Sequence, residues 1–166
     1  MQNSDSNAVV LDASAFYAGV PFLSSSKCYT TNLIFTEVKH IKKSYSALES
    51  LIDAGNLKIM EPEKSFLKKV TNIAQKTGDY SRLSSADISI IALATQLKIT
   101  LISDDYAVQN TATLLGVHTK TIGTKGITKV GKWIAICYVC HKSYSPNIME
   151  CVLCGNKLRR RLKKFV

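Results

Sequence analysis

The chain has 166 residues, 46% hydrophobic and 20% charged, the balance of a globular protein with room for one ordinary domain and a small second one. Its net charge of +10 is lopsided: residues 1–120 hold 12 Lys/Arg against 11 Asp/Glu, whereas residues 121–166 hold 10 against a single acid, Glu150. No stretch is apolar enough to span a bilayer and no secretory leader is expected, so a cytoplasmic protein is expected, with RNA or DNA as its polyanionic partner ahead of an anionic membrane surface.

Val9-Val10-Leu11 reads as a short buried strand that ends on Asp12, followed by a helical start at 13–17. A longer helix is expected over 32–54, because Ile34, Val38, Ile41, Tyr45, Leu48 and Ile52 recur at steps of three and four, and Gly55-Asn56 closes it. A strand at 57–60 comes next, then a helix over 63–76 with Pro62 near its start and Gly78 beyond its end. A serine caps the following helix, which opens at 83–87 and runs to about residue 98. The strand 99–102 ends on Ser103-Asp104-Asp105, and a helix at 106–115 and a last strand at 117–122 complete the series. Strands alternating with helices predict an α/β fold, a doubly wound sheet of mainly parallel strands with helices on both faces. Glycines and lysines mark residues 123–133 as a linker, with a cysteine module at 134–158 and a basic tail at 159–166.

In such sheets ligands bind at the carboxyl ends of the strands. Asp12, Asp104 and Asp105 are delivered there by two strands far apart in sequence. Glu37 shares the helical face of Ile34 and Ile41, and Asp87 that of Ile91 and Ala94. Burying unpaired carboxylates costs several kcal/mol, so either these acids are solvated at the sheet edge or a cation compensates them, and the hard ions Mg²⁺ and Mn²⁺ suit carboxylate oxygen. The plainer reading of each acid is a turn former or a helix cap. Four acids agreeing independently favour a metal pocket. Glu49, Asp53, Glu61, Glu63 and Asp79 read as solvated surface charges, Cys28 as a buried or half-buried thiol, and His40, His118 and His141 belong to no Ser/His/Asp arrangement.

Cys137-x₂-Cys140-x₁₀-Cys151-x₂-Cys154-Gly155 has the spacing of a closed, structural Cys₄ zinc site. Cys137-Tyr-Val-Cys140-His141 also spells a haem c attachment motif, which the second cysteine pair disfavours. Beyond it, Lys157, Arg159, Arg160, Arg161, Lys163 and Lys164 form either a set of phosphate contacts or a frayed, solvated tail. Tyr138 and Tyr144 either stack on unpaired bases or pack the small core of the module.

Val-Val-Leu-Asp12-Ala-Ser14, Thr-Glu37-Val, Leu-Ser84-Ser-Ala-Asp87 and Ile-Ser103-Asp-Asp105-Tyr, in that order over residues 8–122, resemble the PIN-domain ribonucleases. The run from Ser103-Asp104-Asp105-Tyr106 to Gln109-Asn110, followed by a zinc ribbon, resembles the Nob family of endonucleases that mature small-subunit ribosomal RNA. The resemblance implies a PIN-like nuclease domain over 1–122 in which Asp12, Glu37, Asp87 and Asp105 form an acidic quartet around Mg²⁺ or Mn²⁺. Asp104 is secondary, and Ser14 and Ser103 orient carboxylates or water. It further implies structural zinc on Cys137, Cys140, Cys151 and Cys154, with the ribbon and its basic residues gripping RNA. The expected substrate is precursor small-subunit (16S-type) rRNA, cut near its mature 3′ end in the pre-small ribosomal subunit, with assembly factors as further partners. Two rivals share these features: a toxin-like or RNA-decay PIN ribonuclease, and a non-catalytic RNA-binding assembly factor. The ribbon and the Gln109-Asn110 context argue against the first, and the intact quartet against the second.

Overall fold

The computed structural model describes residues 8–39, 45–123, 126 and 130–164. Five strands, β1 (Val9–Leu11), β2 (Cys28–Thr30), β3 (Leu57–Ile59), β4 (Thr100–Ile102) and β5 (Thr119–Lys120), pair in parallel in the order β3-β2-β1-β4-β5. This is a doubly wound sheet. The chain first builds outward from β1 to β3, then returns to the other side of β1 with β4, and that reversal opens a crevice at the carboxyl ends of β1 and β4.

The centre of the sheet is buried at Val10, Leu11 and Leu101, and parallel pairing needs helices rather than hairpins to join its strands. Helices α1 (Ala13–Tyr17), α2 (Val20–Leu23), α3 (Asn32–Val38), α4 (Tyr45–Asp53), α5 (Lys64–Thr77), α6 (Ser85–Leu97) and α7 (Tyr106–Leu114) supply those connections. The pivot is α6. It packs on β1 and β4 and also meets α3, α5 and α7, and its residues from Ser89 to Thr95 are all buried. Such an all-round apolar helix belongs in the middle of a core. Among the described residues no helix is long and apolar enough to cross a membrane.

Within the nuclease domain, the sequence does not point to β2, placed between β1 and β3, to the single turn α2, or to the 3-10 turn Tyr80–Arg82. The expected helix over 32–54 is described as α3 and α4, with residues 40–44, including His40 and Ile41, outside the described residues.

The C-terminal module also differs from its expected bounds. Strand β6 (Gly131–Ile136) begins inside the expected linker and pairs antiparallel with β7 (Ser143–Tyr144) and β8 (Arg159–Lys164). Of the residues expected to form a basic tail, Arg159–Lys164 are an edge strand, registered against β6 from Ile136↔Arg159 to Gly131↔Lys164. The ladder supplies the order that the sequence of basic residues alone does not.

Candidate active site

Leu11 and Ile102 are directly paired at the ends of β1 and β4, and the Asp12 amide donates to the Ile102 carbonyl at 3.1 Å. The next residue on each strand is thus forced to the mouth of the crevice. Asp12 is 5% exposed and caps α1, one oxygen accepting from the Ala13 amide at 2.8 Å. Its other oxygen accepts from the Ser103 hydroxyl at 2.6 Å, with the Ser14 hydroxyl at 3.5 Å. Burial pushes the Asp12 carboxyl above its ordinary value and the charges of Asp87 and Asp105 push the same way, against the lowering effect of Ser103 and Ala13. Three carboxylates therefore share one field.

Ser103 is the hinge of this group, its hydroxyl donating to Asp12 and its oxygen accepting from the Asp105 amide at 3.1 Å. Asp105 caps α7 through one oxygen, which accepts from the amides of Ala107 and Val108 at 2.7 and 3.0 Å. Asp87 reaches the site as the third residue of α6. One of its oxygens accepts from the Ser84 amide at 2.7 Å while the Ser84 hydroxyl accepts from the Asp87 amide at 3.1 Å, a reciprocal cap. Asp87 is half-buried rather than buried. Capping accounts for one oxygen each of Asp87 and Asp105.

Glu37 and Asp104 stand differently. Glu37 is exposed, a correction to its expected place on a buried face. The buried side of α3 is Ile34, Phe35 and Val38, and at about 100° per residue Glu37 falls on the flank of that stripe. Asp104 is engaged by the segment after β5: its oxygens accept from the amides of Ile122 and Gly123 at 2.9 and 3.1 Å, and its own amide donates to the Ser14 hydroxyl at 3.1 Å. It holds the chain leaving β5.

A hard divalent ion fits this donor set, because the Asp12 carboxylate, raised first by burial and further by Asp87 and Asp105, is compensated by positive charge. Mg²⁺ in particular keeps several waters and binds through one or two carboxylates. The acids do not converge as closely as direct ligands to one bare ion. Among the described residues, only the four cysteines bring three or more ligand atoms together, all within 4.8 Å of one another.

Those cysteines sit on two matching turns. The His141 amide donates to the Cys137 carbonyl at 2.9 Å and the Gly155 amide to the Cys151 carbonyl at 2.8 Å, and both His141 and Gly155 adopt positive φ, 59° and 65°. Sulfur–sulfur distances are 3.4 Å for Cys137–Cys154 and Cys140–Cys151, and 3.9 Å for Cys140–Cys154. Four Zn–S bonds of about 2.3 Å in a tetrahedron set sulfurs about 3.8 Å apart, so the site suits zinc. The Tyr144 hydroxyl lies 3.1 Å from the Cys151 sulfur and holds that thiol down to about 6. Tyr144 is thereby spent on the ribbon itself, while Tyr138 lies under the Arg159 guanidinium, 5.2 Å from its ring centre.

Residues 9–97 match the model of the PIN domain of ribonuclease. The chain is 40% identical over 153 residues to Endoribonuclease Nob1 of Pyrococcus abyssi, covering 91% of each. The chain belongs to the Nob1 family of PIN-domain endoribonucleases. It is also 37% identical over 158 residues to Endoribonuclease Nob1 of Methanocaldococcus jannaschii, covering 93% of this chain and 78% of that one. Over 105 residues it is 34% identical to the 20S-pre-rRNA D-site endonuclease NOB1 of Saccharomyces cerevisiae, covering 61% of this chain and 22% of that protein.

One acid that this Nob1-family chain uses was misjudged from sequence. Asp79, read as a surface charge, is 1% exposed. It accepts from the Thr77 hydroxyl at 3.0 Å, the Asn110 amide at 2.7 Å and the Trp133 indole at 2.8 Å. Asn110 also pairs both ways with the Gly131 backbone at 3.2 Å. The ribbon is thus clasped to the nuclease domain. Gly78 fits the same joint: a Cβ there would meet Pro146 Cγ at 2.6 Å, and its carbonyl accepts from Arg160 Nη2 at 2.8 Å.

Proposed function

We propose that this endoribonuclease depends on a divalent cation and cuts precursor small-subunit rRNA near its mature 3′ end. The observation that carries the reading is Asp12, buried at the sheet's switch point with its charge opposed by Asp87 and Asp105. The yeast relative, a 20S-pre-rRNA D-site endonuclease, supports the substrate class.

Asp12, Asp87 and Asp105 would hold Mg²⁺ or Mn²⁺, with Glu37 approaching from the exposed flank of α3. Such an ion, when bound, activates water and stabilises charge on the phosphate and the leaving oxygen. Ser103 keeps the Asp12 carboxylate and the Asp105 backbone in one register, so the carboxylates are positioned before substrate arrives. Hydrolysis by water leaves a 5′-phosphate and a 3′-hydroxyl. Zinc on the four cysteines holds the ribbon, whose exposed Lys157, Arg159, Arg161 and Lys163 contact RNA phosphates; Lys164 continues the same strand.

The test is incubation of the full chain with a precursor rRNA fragment spanning the mature 3′ end, with Mg²⁺, Mn²⁺ or chelator, and mapping of the products. Cleavage at one site that requires the cation and leaves a 3′-hydroxyl is the expected result. A chelator-resistant cut, or a cyclic 2′,3′-phosphate end, overturns it.

A further inference from the structure

The clasp between ribbon and nuclease domain encloses a cavity of about 310 Å³. Arg82, from the 3-10 turn Tyr80–Arg82, and Tyr106, Ala107 and Asn110 of α7 line one side; Trp133 of β6 and Leu162 of β8 line the other. We propose that this cavity seats one unpaired nucleobase of the RNA, next to the phosphate that is cut.

Place is the first argument, and it rests on Asp105 belonging to the reactive site as proposed above. Tyr106 follows Asp105 directly, and consecutive Cα atoms are about 3.8 Å apart, so a base lying against Tyr106 brings a neighbouring phosphate to the acids.

The chemistry of the walls selects the occupant. Tyr106 is 56% exposed although it opens a helix whose next six residues are all buried. Its ring is thus a free platform beside an otherwise apolar wall of Ala107 and Leu162. Arg82 is exposed and sits 5.7 Å from the centre of the Trp133 ring, with Arg160 at 5.3 Å. An aromatic platform flanked by guanidinium groups suits a stacked base carrying a phosphate. A neutral apolar ligand has no use for the cations, and a bare anion has no use for the rings.

The cavity floor predicts how much it discriminates. Asp79 accepts three hydrogen bonds, the Trp133 indole N–H is spent on Asp79, and both ends of the Asn110 amide are engaged by Asp79 and Gly131. The floor therefore has little left to read the edge of a base. Binding here is by stacking and charge, which every base satisfies, so the pocket fixes the register of an unpaired strand rather than its sequence.

Trp133 is the chain's one tryptophan, which gives the test its probe. Full-length protein carrying Asp12→Asn, to prevent cleavage, is titrated with single-stranded hexaribonucleotides, following Trp133 emission and, separately, the anisotropy of a label on the RNA. A set with one abasic nucleotide at successive positions follows. A change of Trp133 emission on binding is expected, with a roughly tenfold loss of affinity at one abasic position only. Adding Tyr106→Ala should erase that positional effect, Tyr106→Phe should keep it, and exchanging the base at that position should matter little. The proposal is overturned if the RNA binds with Trp133 emission unchanged, if no abasic position stands out, or if the hexamers do not bind. Cation-dependent cutting of precursor rRNA by the wild type is scored separately, so a failed pocket with intact cutting is distinguishable from a failed nuclease reading with an occupied pocket.

Discussion

The indole of Trp133 donates to a carboxylate oxygen of Asp79 at 2.8 Å across the joint between ribbon and nuclease domain, a contact spanning 54 positions of sequence. The carboxylate is buried, and Thr77 and Asn110 donate to its other oxygen.

Asp79→Ala strands the Trp133 indole N–H and one Asn110 N–H, while the Thr77 hydroxyl keeps the Ala74 carbonyl at 3.2 Å. Leaving buried donors unsatisfied costs about 1–3 kcal/mol for each group, and part of that is recovered as water enters the loosened joint. A loss of about 3 kcal/mol in unfolding free energy is expected, measured by denaturant titration, with Trp133 emission shifted to the red before the main transition. A variant of wild-type stability with unshifted emission contradicts the clasp.

This acid also marks where sequence reading stops. Asp12 and Asp105 were legible because each ends an apolar run, and the order of strands and helices then dictates that both runs lie side by side. Asp79 follows a helix-closing glycine, where an acid is ordinarily a solvated turn residue; only the fold brings Trp133 and Asn110 to it. Strand β2 was missed for a similar reason. Its three residues, Cys28, Tyr29 and Thr30, carry no alternation of their own, and their place is fixed by parallel pairing with β1 and β3. In β8, five cations and one leucine conceal a strand whose order comes from its ladder with β6.

Asp12 makes metal binding measurable as stability. Its folded-state pKa lies above the ordinary 3.8, so between the two values the folded chain holds a proton that the unfolded chain has lost. Asp12's contribution to stability is then most favourable below about pH 3.8 and falls as pH rises through the raised value. A bound divalent cation offsets that loss. Mg²⁺ or Mn²⁺ is expected to raise the melting temperature at neutral pH, by an amount corresponding to about 2.7 kcal/mol at a hundredfold excess over Kd, with the gain shrinking toward pH 4. Asp12→Asn should show no such gain and no cleavage. Equal stabilisation of both proteins places the ion elsewhere.

Zinc removal tests the independence of the two modules. The buried core of the nuclease domain runs from Val10 to Val117 and includes no residue of the ribbon, whereas the ribbon's turns converge on the four sulfurs. Chelation, or Cys151→Ser, should unfold the ribbon, because structural Cys₄ sites supply much of their module's folding energy. Trp133 emission should redden while most far-ultraviolet helical signal remains. Loss of all helical signal at the zinc-release midpoint would make the chain a single cooperative unit.

The basic strand requires a gentler test than deletion. Removing residues from 159 onward takes away β8, its whole ladder with β6, the Arg160 contact with Gly78 and the Leu162 wall of the cavity, so a loss of binding would report an unfolded ribbon. Side chains alternate along a strand. Arg160 and Leu162 face the joint, and Arg159, Arg161 and Lys163 lie on the opposite face, where Lys132 stands directly across from Lys163. Like charges opposed across a ladder destabilise it, an arrangement that polyanion contact relieves. Replacing Arg159, Arg161 and Lys163 together with Gln should leave zinc content and Trp133 emission unchanged and weaken binding to every single-stranded RNA tested. The slope of log K against log salt should fall by about 0.7 for each lost contact, about 2 in all, while turnover at saturating RNA survives. If the triple variant keeps its affinity and its salt slope, RNA is gripped elsewhere and this face of the ribbon serves another partner.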